Sequence, residues 1–212
     1  MKPLLMALAL LLSLPLPLWA DVFAQAATAE SIRRLVPATA TTVAAEPVLQ
    51  GRFSQARKLS DLPKPLLSSG RFVFARERGV LWQVEKPFAS EFVLTPAAMI
   101  TREGGRERRM AAQEQPGLNI ATRLFTALFT LDIAALEKDF TLHAAGDAKA
   151  WTLGFKPKHA ALAQHFATAT MQGGADVQSI RLTDARGDVT ELKLSGLTSA
   201  KTLSSADAKR FP

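Results

Sequence analysis

The sequence predicts a mainly β domain carrying a helical insert. Three observations lead there. From Val48 onward, apolar and polar residues alternate with a period of two. Turn signals built on Gly, Pro and Asp recur every ~8–12 residues, the spacing of a sandwich or curved barrel. After Pro116-Gly117 the apolar spacing becomes helical, and then the alternation resumes.

The first residues read as a targeting segment. Lys2 precedes an uncharged apolar run from Leu4 to Leu18, interrupted by Ser13, Pro15 and Pro17. That run is shorter than the roughly 20 residues a membrane span needs, and the prolines break a helix near its end. Residues 1–20 are expected to be a cleaved secretory signal peptide, and cleavage after Ala24 or Ala26 also fits. Residues 21–212 then form one domain. Without Lys2 the chain keeps a formal charge of +6, one less than the +7 of the full sequence. In an exported protein this surplus suits anionic surfaces such as lipid headgroups better than nucleic acid.

The elements follow in order. Ala24 to Val36 reads as a short amphipathic helix ended by Pro37, and Thr39 to Ala45 as a linker. A strand begins at Val48 with Leu49, Gly51, Phe53 and Gln55 on one parity. Pro63 and Pro65 mark a loop. Gly70 opens a strand that pairs across an Arg78-Gly79 turn with Val80 to Glu85. Strands at Glu91 to Leu94, Met99 to Glu103 and Arg106 to Ala112 come next, the last two joined at Gly104-Gly105. Leu118, Ala121, Leu124, Phe125, Leu128 and Phe129 form one helical face, and Asp132 caps a second helix. Strands then run from Phe140 to Ala144, Trp151 to Lys156, Phe166 to Met171, Val177 to Thr183 and Val189 to Leu194. Gly146-Asp147 and Ala185-Arg186-Gly187 are read as turns, and Ser204 to Phe211 as a helical turn.

Composition narrows the chemistry. With no cysteine there is no disulfide framework, thiol nucleophile or thiolate metal site. The three histidines, His143, His159 and His165, show no metal-ligand spacing. No nucleophile elbow, metalloprotease helix, phosphate loop or dinucleotide fingerprint appears. No catalytic residue, metal or cofactor is expected. Arg186-Gly187-Asp188 is read as a hairpin turn with solvated charges. Arg102, Arg106, Arg108 and Arg109 crowd one hairpin, read as a solvated tip or as a contact for anionic headgroups.

The apolar excess is the informative feature. Phe53, Phe72, Phe74, Trp82, Val84, Phe92 and Leu94 on the strands, with Leu124, Phe125, Leu128 and Phe129 on the insert, are expected to face inward. They could fill a plain core between sheet and helix, or line an acyl-chain cavity under a helical lid.

The stretch from Gly51 to Leu94 resembles the LolA family of periplasmic lipoprotein carriers. The resemblance rests on Gly51-Arg52-Phe53-Ser54-Gln55 as an F-x-Q opening strand, and on Ser69-Gly70-Arg71-Phe72-Val73-Phe74-Ala75-Arg76 as a glycine, an apolar strand and a basic residue. Val80-Leu81-Trp82-Gln83-Val84-Glu85-Lys86-Pro87-Phe88 matches a W-x-x-x-x-P segment, and Phe92-Val93-Leu94 follows. The resemblance implies an unclosed antiparallel β-barrel covered by helices, and a periplasmic monomer that carries acyl chains of lipoproteins or related lipids. It also implies an inner-membrane donor and an outer-membrane acceptor protein, and a latch at Arg76 that holds the lid closed. The chain departs from the family in three places: Thr95-Pro96-Ala97 replaces an Asp-Gly turn, arginines crowd the next hairpin, and the C-terminus at Phe211-Pro212 lacks a final strand. These departures suit a paralogue serving another lipid or glycolipid. Two other readings stay open: an envelope-lipid hydrolase, and a secreted structural β domain with a solid core.

Overall fold

The computed structural model describes residues 22–24, 26–37, 45–111, 126–127 and 129–212. Eleven antiparallel strands form one sheet in the order β6-β5-β4-β3-β2-β1-β11-β10-β9-β8-β7. They are β1 (Val48–Lys58), β2 (Leu66–Ala75), β3 (Gly79–Lys86), β4 (Ser90–Leu94), β5 (Ala98–Glu103), β6 (Arg106–Ala111), β7 (Phe140–Asp147), β8 (Ala150–Pro157), β9 (Phe166–Gly173), β10 (Val177–Asp184) and β11 (Val189–Ala200). Each half of the chain is a meander, and β1 joins them by pairing with both β2 and β11. The two edges, β6 and β7, do not pair, so the sheet is an unclosed barrel, as expected. Short helices accompany it, among the described residues α1 (Ala29–Leu35), α2 (Ile133–Asp139), α3 (Ala160–Ala163) and α4 (Ser205–Ala208). None of the described helices is long and apolar enough to cross a membrane.

The differences from expectation have local causes. The first helix starts at Ala29, five residues later than its composition suggests, because a capping box closes it: the Thr28 side chain accepts from Ser31 N–H, and the Ser31 hydroxyl accepts from Thr28 N–H. The turn placed at Gly146-Asp147 falls two residues later, at Ala148-Lys149, where the Asp147 carboxylate accepts from the N–H groups of Lys149 and Ala150. The Thr95-Pro96-Ala97 segment is the β4–β5 connection, as expected, and turns without glycine because the Thr95 hydroxyl accepts from the N–H of Ala98 at 3.0 Å. β11 continues to Ala200, past the expected end at Leu194, accommodating a bulge at Gly196 (φ 58°) and staying paired with β1. The linker at residues 39–44 and most of the helical insert, including Leu124, Phe125 and Leu128, lie outside the described residues.

The glycines of the F-x-Q and G-R-F segments have steric reasons. A Cβ on Gly51 would sit 3.1 Å from the Phe72 ring, and one on Gly70 would collide with the Gln83 carbonyl at 1.9 Å. Both permit close packing of β1, β2 and β3.

Two apolar clusters follow from the strand parity. The larger lies on the concave face. It joins Phe53, Phe72, Phe74 and Val80 from one half with Phe140, Leu142, Trp151, Leu153, Phe155 and Met171 from the other. Ile32 of α1, Leu136 of α2 and Phe129 cover it. The smaller lies on the convex face, where Val48, Val73, Leu81, Val93 and Ile100 pack against Phe211. The chain ends also dock. Ala26 bridges to His143 at the β7 edge, and the Phe23 ring meets the His143 ring edge-on at 5.3 Å.

Candidate lipid-binding face

Direct cross-strand partners share a face, so register defines the site. One row runs Gly51, Phe72, Trp82, Phe92, Thr101, Arg108 across β1 to β6. Along it the environment grades from fully buried at Phe72 to 36% exposed at Phe92 and open at Arg108. The aromatic rings stack on one another. Phe53 lies over Trp82 at 3.9 Å between centroids, and Phe72 lies 5.8 Å from the same indole. Phe129 reaches down from the insert to Phe72 at 5.1 Å and Phe74 at 5.7 Å. Val84 and Leu94 pack against this group while remaining partly accessible.

Seven of the eleven apolar residues expected at the site are therefore on one concave face, Phe53, Phe72, Phe74, Trp82, Val84, Phe92 and Leu94, and Phe129 packs onto it from the insert. Phe53, Phe72, Phe74 and Phe129 are buried, Trp82, Val84 and Leu94 are half-buried, and Phe92 is exposed, standing towards the β5–β6 side. The expected list was too short in the second half of the chain. Phe140, Leu142, Trp151, Leu153 and Phe155 join the same cluster. Their signal was available in the shared parity of Trp151, Leu153 and Phe155.

The cover is made of short pieces. Residues 126–127 and 129–130 are helical. Leu131 then takes a left-handed backbone with φ 49°, an unfavourable state for a branched aliphatic residue. This turns the chain into α2, whose Asp132 carboxylate accepts from Ala135 N–H. Between α1 and this junction lies a cleft of about 300 Å³ lined by Ile32, Val36, Leu131 and Ile133, with Arg33 and Asp132 at its edge. The volume is at the lower end for ligand pockets. Arg76 stands one residue past β2, exposed, with its N–H donating to the Pro47 carbonyl at 2.9 Å.

The convex face of the same strands is electrostatic. Arg71, Gln83, Glu91, Arg102 and Glu107 form a cross-strand row. Gln83 and Arg102 donate to the Glu91 carboxylate at 2.7 and 2.6 Å, and Arg210 of the C-terminal segment also pairs with it. Arg71 donates to Asp207 at 2.6 Å, and Arg102 donates to the Arg210 carbonyl at 2.9 Å. Burial of Glu91 raises its pKa, but the hydrogen bonds from Arg102, Gln83 and Arg210 outweigh it and hold the carboxyl below the usual range. Asp207 behaves alike: burial is outweighed by Arg71, Ser204 and the charge of Arg210. Arg102 is thus tied to Glu91 and Glu107 and is not a solvated tip residue. The Arg186-Gly187-Asp188 segment is the expected turn, with Gly187 at φ 89°. Its Asp188 is buried and accepts from Ser60 N–H.

The histidines are not brought together. His143 lies on β7, His159 precedes α3, and His165 follows it. Among the described residues no cluster of His, Asp and Glu could hold a metal ion.

Comparison with known proteins places the chain in a family. A family model described as outer membrane lipoprotein carrier protein LolA-like matches residues 26–211. Among solved structures, a LolA superfamily protein from Nitrosomonas europaea is 11% identical, with 88% of this chain and 98% of that one covered and a TM-score of 0.47. A DUF1329 family protein from Desulfovibrio piger is 12% identical, with 78% and 90% covered and a TM-score of 0.43. LprF from Mycobacterium bovis is 14% identical, with 80% and 98% covered and a TM-score of 0.31. The curated proteins contain no match.

Proposed function

We propose, from the premise that the chain belongs to the LolA-like family of outer membrane lipoprotein carrier proteins, that it is a periplasmic carrier of acylated cargo. The observation that carries this reading is the concave aromatic face of an unclosed sheet, roofed by short helices and open along the row that ends at Arg108. Burial of acyl chains against Trp82, Phe53 and Phe92 contributes about 0.8 kcal/mol per methylene. That gain has to exceed the cost of parting the cover from Phe72 and Phe74. Cargo leaves when an acceptor binds it more tightly, so transfer is a difference in affinity and needs no cofactor. Donor and acceptor are proteins of the inner and outer membranes, and the carrier works as a monomer. Arg76 serves as the latch between the β2–β3 turn and the cover.

Residues 1–20 are the signal peptide in this reading, and the mature chain begins at Asp21. Packing supports that boundary. Val22 is buried, and the Phe23 ring sits where a side chain on Gly154 would stand, 2.8 Å from its Cβ position. Cleavage after Ala24 or Ala26 would discard both contacts.

The test is native mass spectrometry of the protein from the periplasm, paired with displacement of a fluorescent fatty acid from the purified chain. Co-purified lipid or lipoprotein, and a displaceable probe whose affinity drops at least tenfold in Trp82→Ala, are expected. A lipid-free mass together with no probe binding would overturn the carrier.

A further inference from the structure

The large exposed apolar side chains are concentrated at one end of the sheet. Leu62 is 40% exposed, Leu66 51%, Leu67 65% and Phe88 78%. Leu62 lies in the β1–β2 loop, Leu66 and Leu67 open β2, and Phe88 is in the β3–β4 turn. The register brings these segments together. Ser69 of β2 pairs with Lys86 of β3, so Leu66 and Leu67 extend past the end of β3 beside the β3–β4 turn. Leu67 and Pro87 also line one surface pocket. Phe92, the other exposed large apolar residue among those described, belongs instead to the concave wall.

Chance scatter leaves single apolar residues on a surface; a cluster of this kind marks something that covers it. The charges around it say what. Lys58 ends β1, Lys64 lies between Pro63 and Pro65, and Lys86 ends β3. None of these lysines is in an ion pair within the described residues. The neighbouring acids are mostly engaged: Asp188 with Arg57 and Arg186, Glu191 with Arg181, Glu85 with Arg52. Asp61 is the uncompensated one in the loop. Just behind the apolar residues is a surface pocket of about 710 Å³, whose polar lining includes Ser54, Ser68, Ser69, Lys86, Lys193 and Glu191, the last paired with Arg181. Hydroxyls and ammonium groups there match phosphate oxygens, with the Glu191 charge offset by Arg181.

We infer that this end of the sheet is a membrane-docking tip that seats on an anionic lipid bilayer. Leu62, Leu66, Leu67 and Phe88 enter the headgroup–acyl boundary, and Lys58, Lys64, Lys86 and Lys193 meet the phosphates. A protein groove would suit the apolar side chains alone, but the unpaired lysines beside the exposed apolar residues of the β1–β2 loop and the β3–β4 turn are complementary to a negative plane. The tip brings the chain to the membrane surface independently of what the concave face holds.

The test is flotation of the mature protein with two vesicle types: phosphatidylglycerol with phosphatidylethanolamine, and phosphatidylcholine alone. Binding to the anionic vesicles that weakens in high salt, with little binding to phosphatidylcholine, is expected. Leu67→Asp with Phe88→Asp should lower anionic-vesicle binding at least tenfold, and Lys64→Glu with Lys86→Glu should lower it severalfold. These residues are exposed, so melting temperatures and probe binding without vesicles should match the parent. Absence of flotation, or equal flotation of the Asp variant, overturns the tip. A parent dimer that the Asp variant turns into monomer, without vesicle binding, assigns the patch to a second copy and also overturns it. Probe binding without vesicles reads the concave face alone, so failure of the carrier reading would show there and not in flotation.

Discussion

The concave and convex faces of β2 to β5 are built from the same strands and do opposite things. Inward parity carries Phe72, Phe74, Trp82, Phe92 and Leu94, with no charge among them and Phe72 stacked on Trp82. Outward parity carries Arg71, Gln83, Glu91 and Arg102, tied into one network with the C-terminal segment. The inner face is held by non-directional burial, which tolerates a guest of similar polarity. The outer face is held by charge-assisted hydrogen bonds, which fix partners by position. A carrier needs both: a wall that can re-pack around cargo, and a back that keeps the open sheet in shape while it does.

The sharpest way to break this contrast is at the deepest inner residue. Phe72 is fully buried and touches Trp82 and Phe129. Phe72→Ala should cost about 3–5 kcal/mol of unfolding free energy, because it leaves a cavity in a packed site. Urea denaturation followed by Trp fluorescence measures it. A loss below 1 kcal/mol would mean that the inner wall is already loose, and that the cover and the sheet do not form a common core.

The outer face should respond less, and differently. Glu91→Gln keeps the volume but removes the charge that Arg102 and Arg210 share. A loss on the order of 1.5–3 kcal/mol is expected, the range for hydrogen bonds to a charged group. Fatty-acid probe binding should stay unchanged. The pH dependence carries the sign. Glu91 and Asp207 have folded-state pKa values below their ordinary ones. Their contribution is therefore complete above the ordinary carboxylate range and is lost as pH falls through the folded values. Acidification should first free the segment around α4, seen as faster amide exchange at residues 204–211. Glu91→Gln should flatten that acid transition, and a variant with an unaltered acid profile would assign the transition to the Asp207–Arg71 pair and not to Glu91.

Much of the inner face was legible from sequence because a strand's period is two and a deviation is visible residue by residue. The F-x-Q, G-R-F and W-x-x-x-x-P spacings placed Phe53, Phe72 and Trp82 on one parity, and register does bring them together. The outer face was not legible. The polar parity reads as solvent-facing, and nothing local says that Asp207, 136 residues after Arg71, returns to pair with it. Arg102 looked like one of a crowd of arginines, since its partner Glu91 lies on another strand. The late start of α1 was missed for a related reason: side-chain caps decide it against composition. Phe140 and Trp151 were visible as strand residues, but only the closing of the two meanders through β1 and β11 puts them on the same face as Phe72.

The smallest expected effect on stability falls at Phe92, and it separates wall from core most finely. Its ring shares the Trp82 row but remains more than a third exposed, whereas Phe72 in the same row is sealed. If the concave face were simply a core, a residue this exposed would contribute little to anything. Phe92→Ala removes apolar area that is already partly in water, so unfolding free energy should fall by less than about 1 kcal/mol. In a carrier, the same side chain lies where cargo would cover it, and its area leaves water only on binding. Probe affinity should then drop about threefold to tenfold while the melting temperature scarcely moves. Equal, small changes in both quantities would return Phe92 to the surface and shrink the binding face to Phe53, Trp82, Val84 and Leu94.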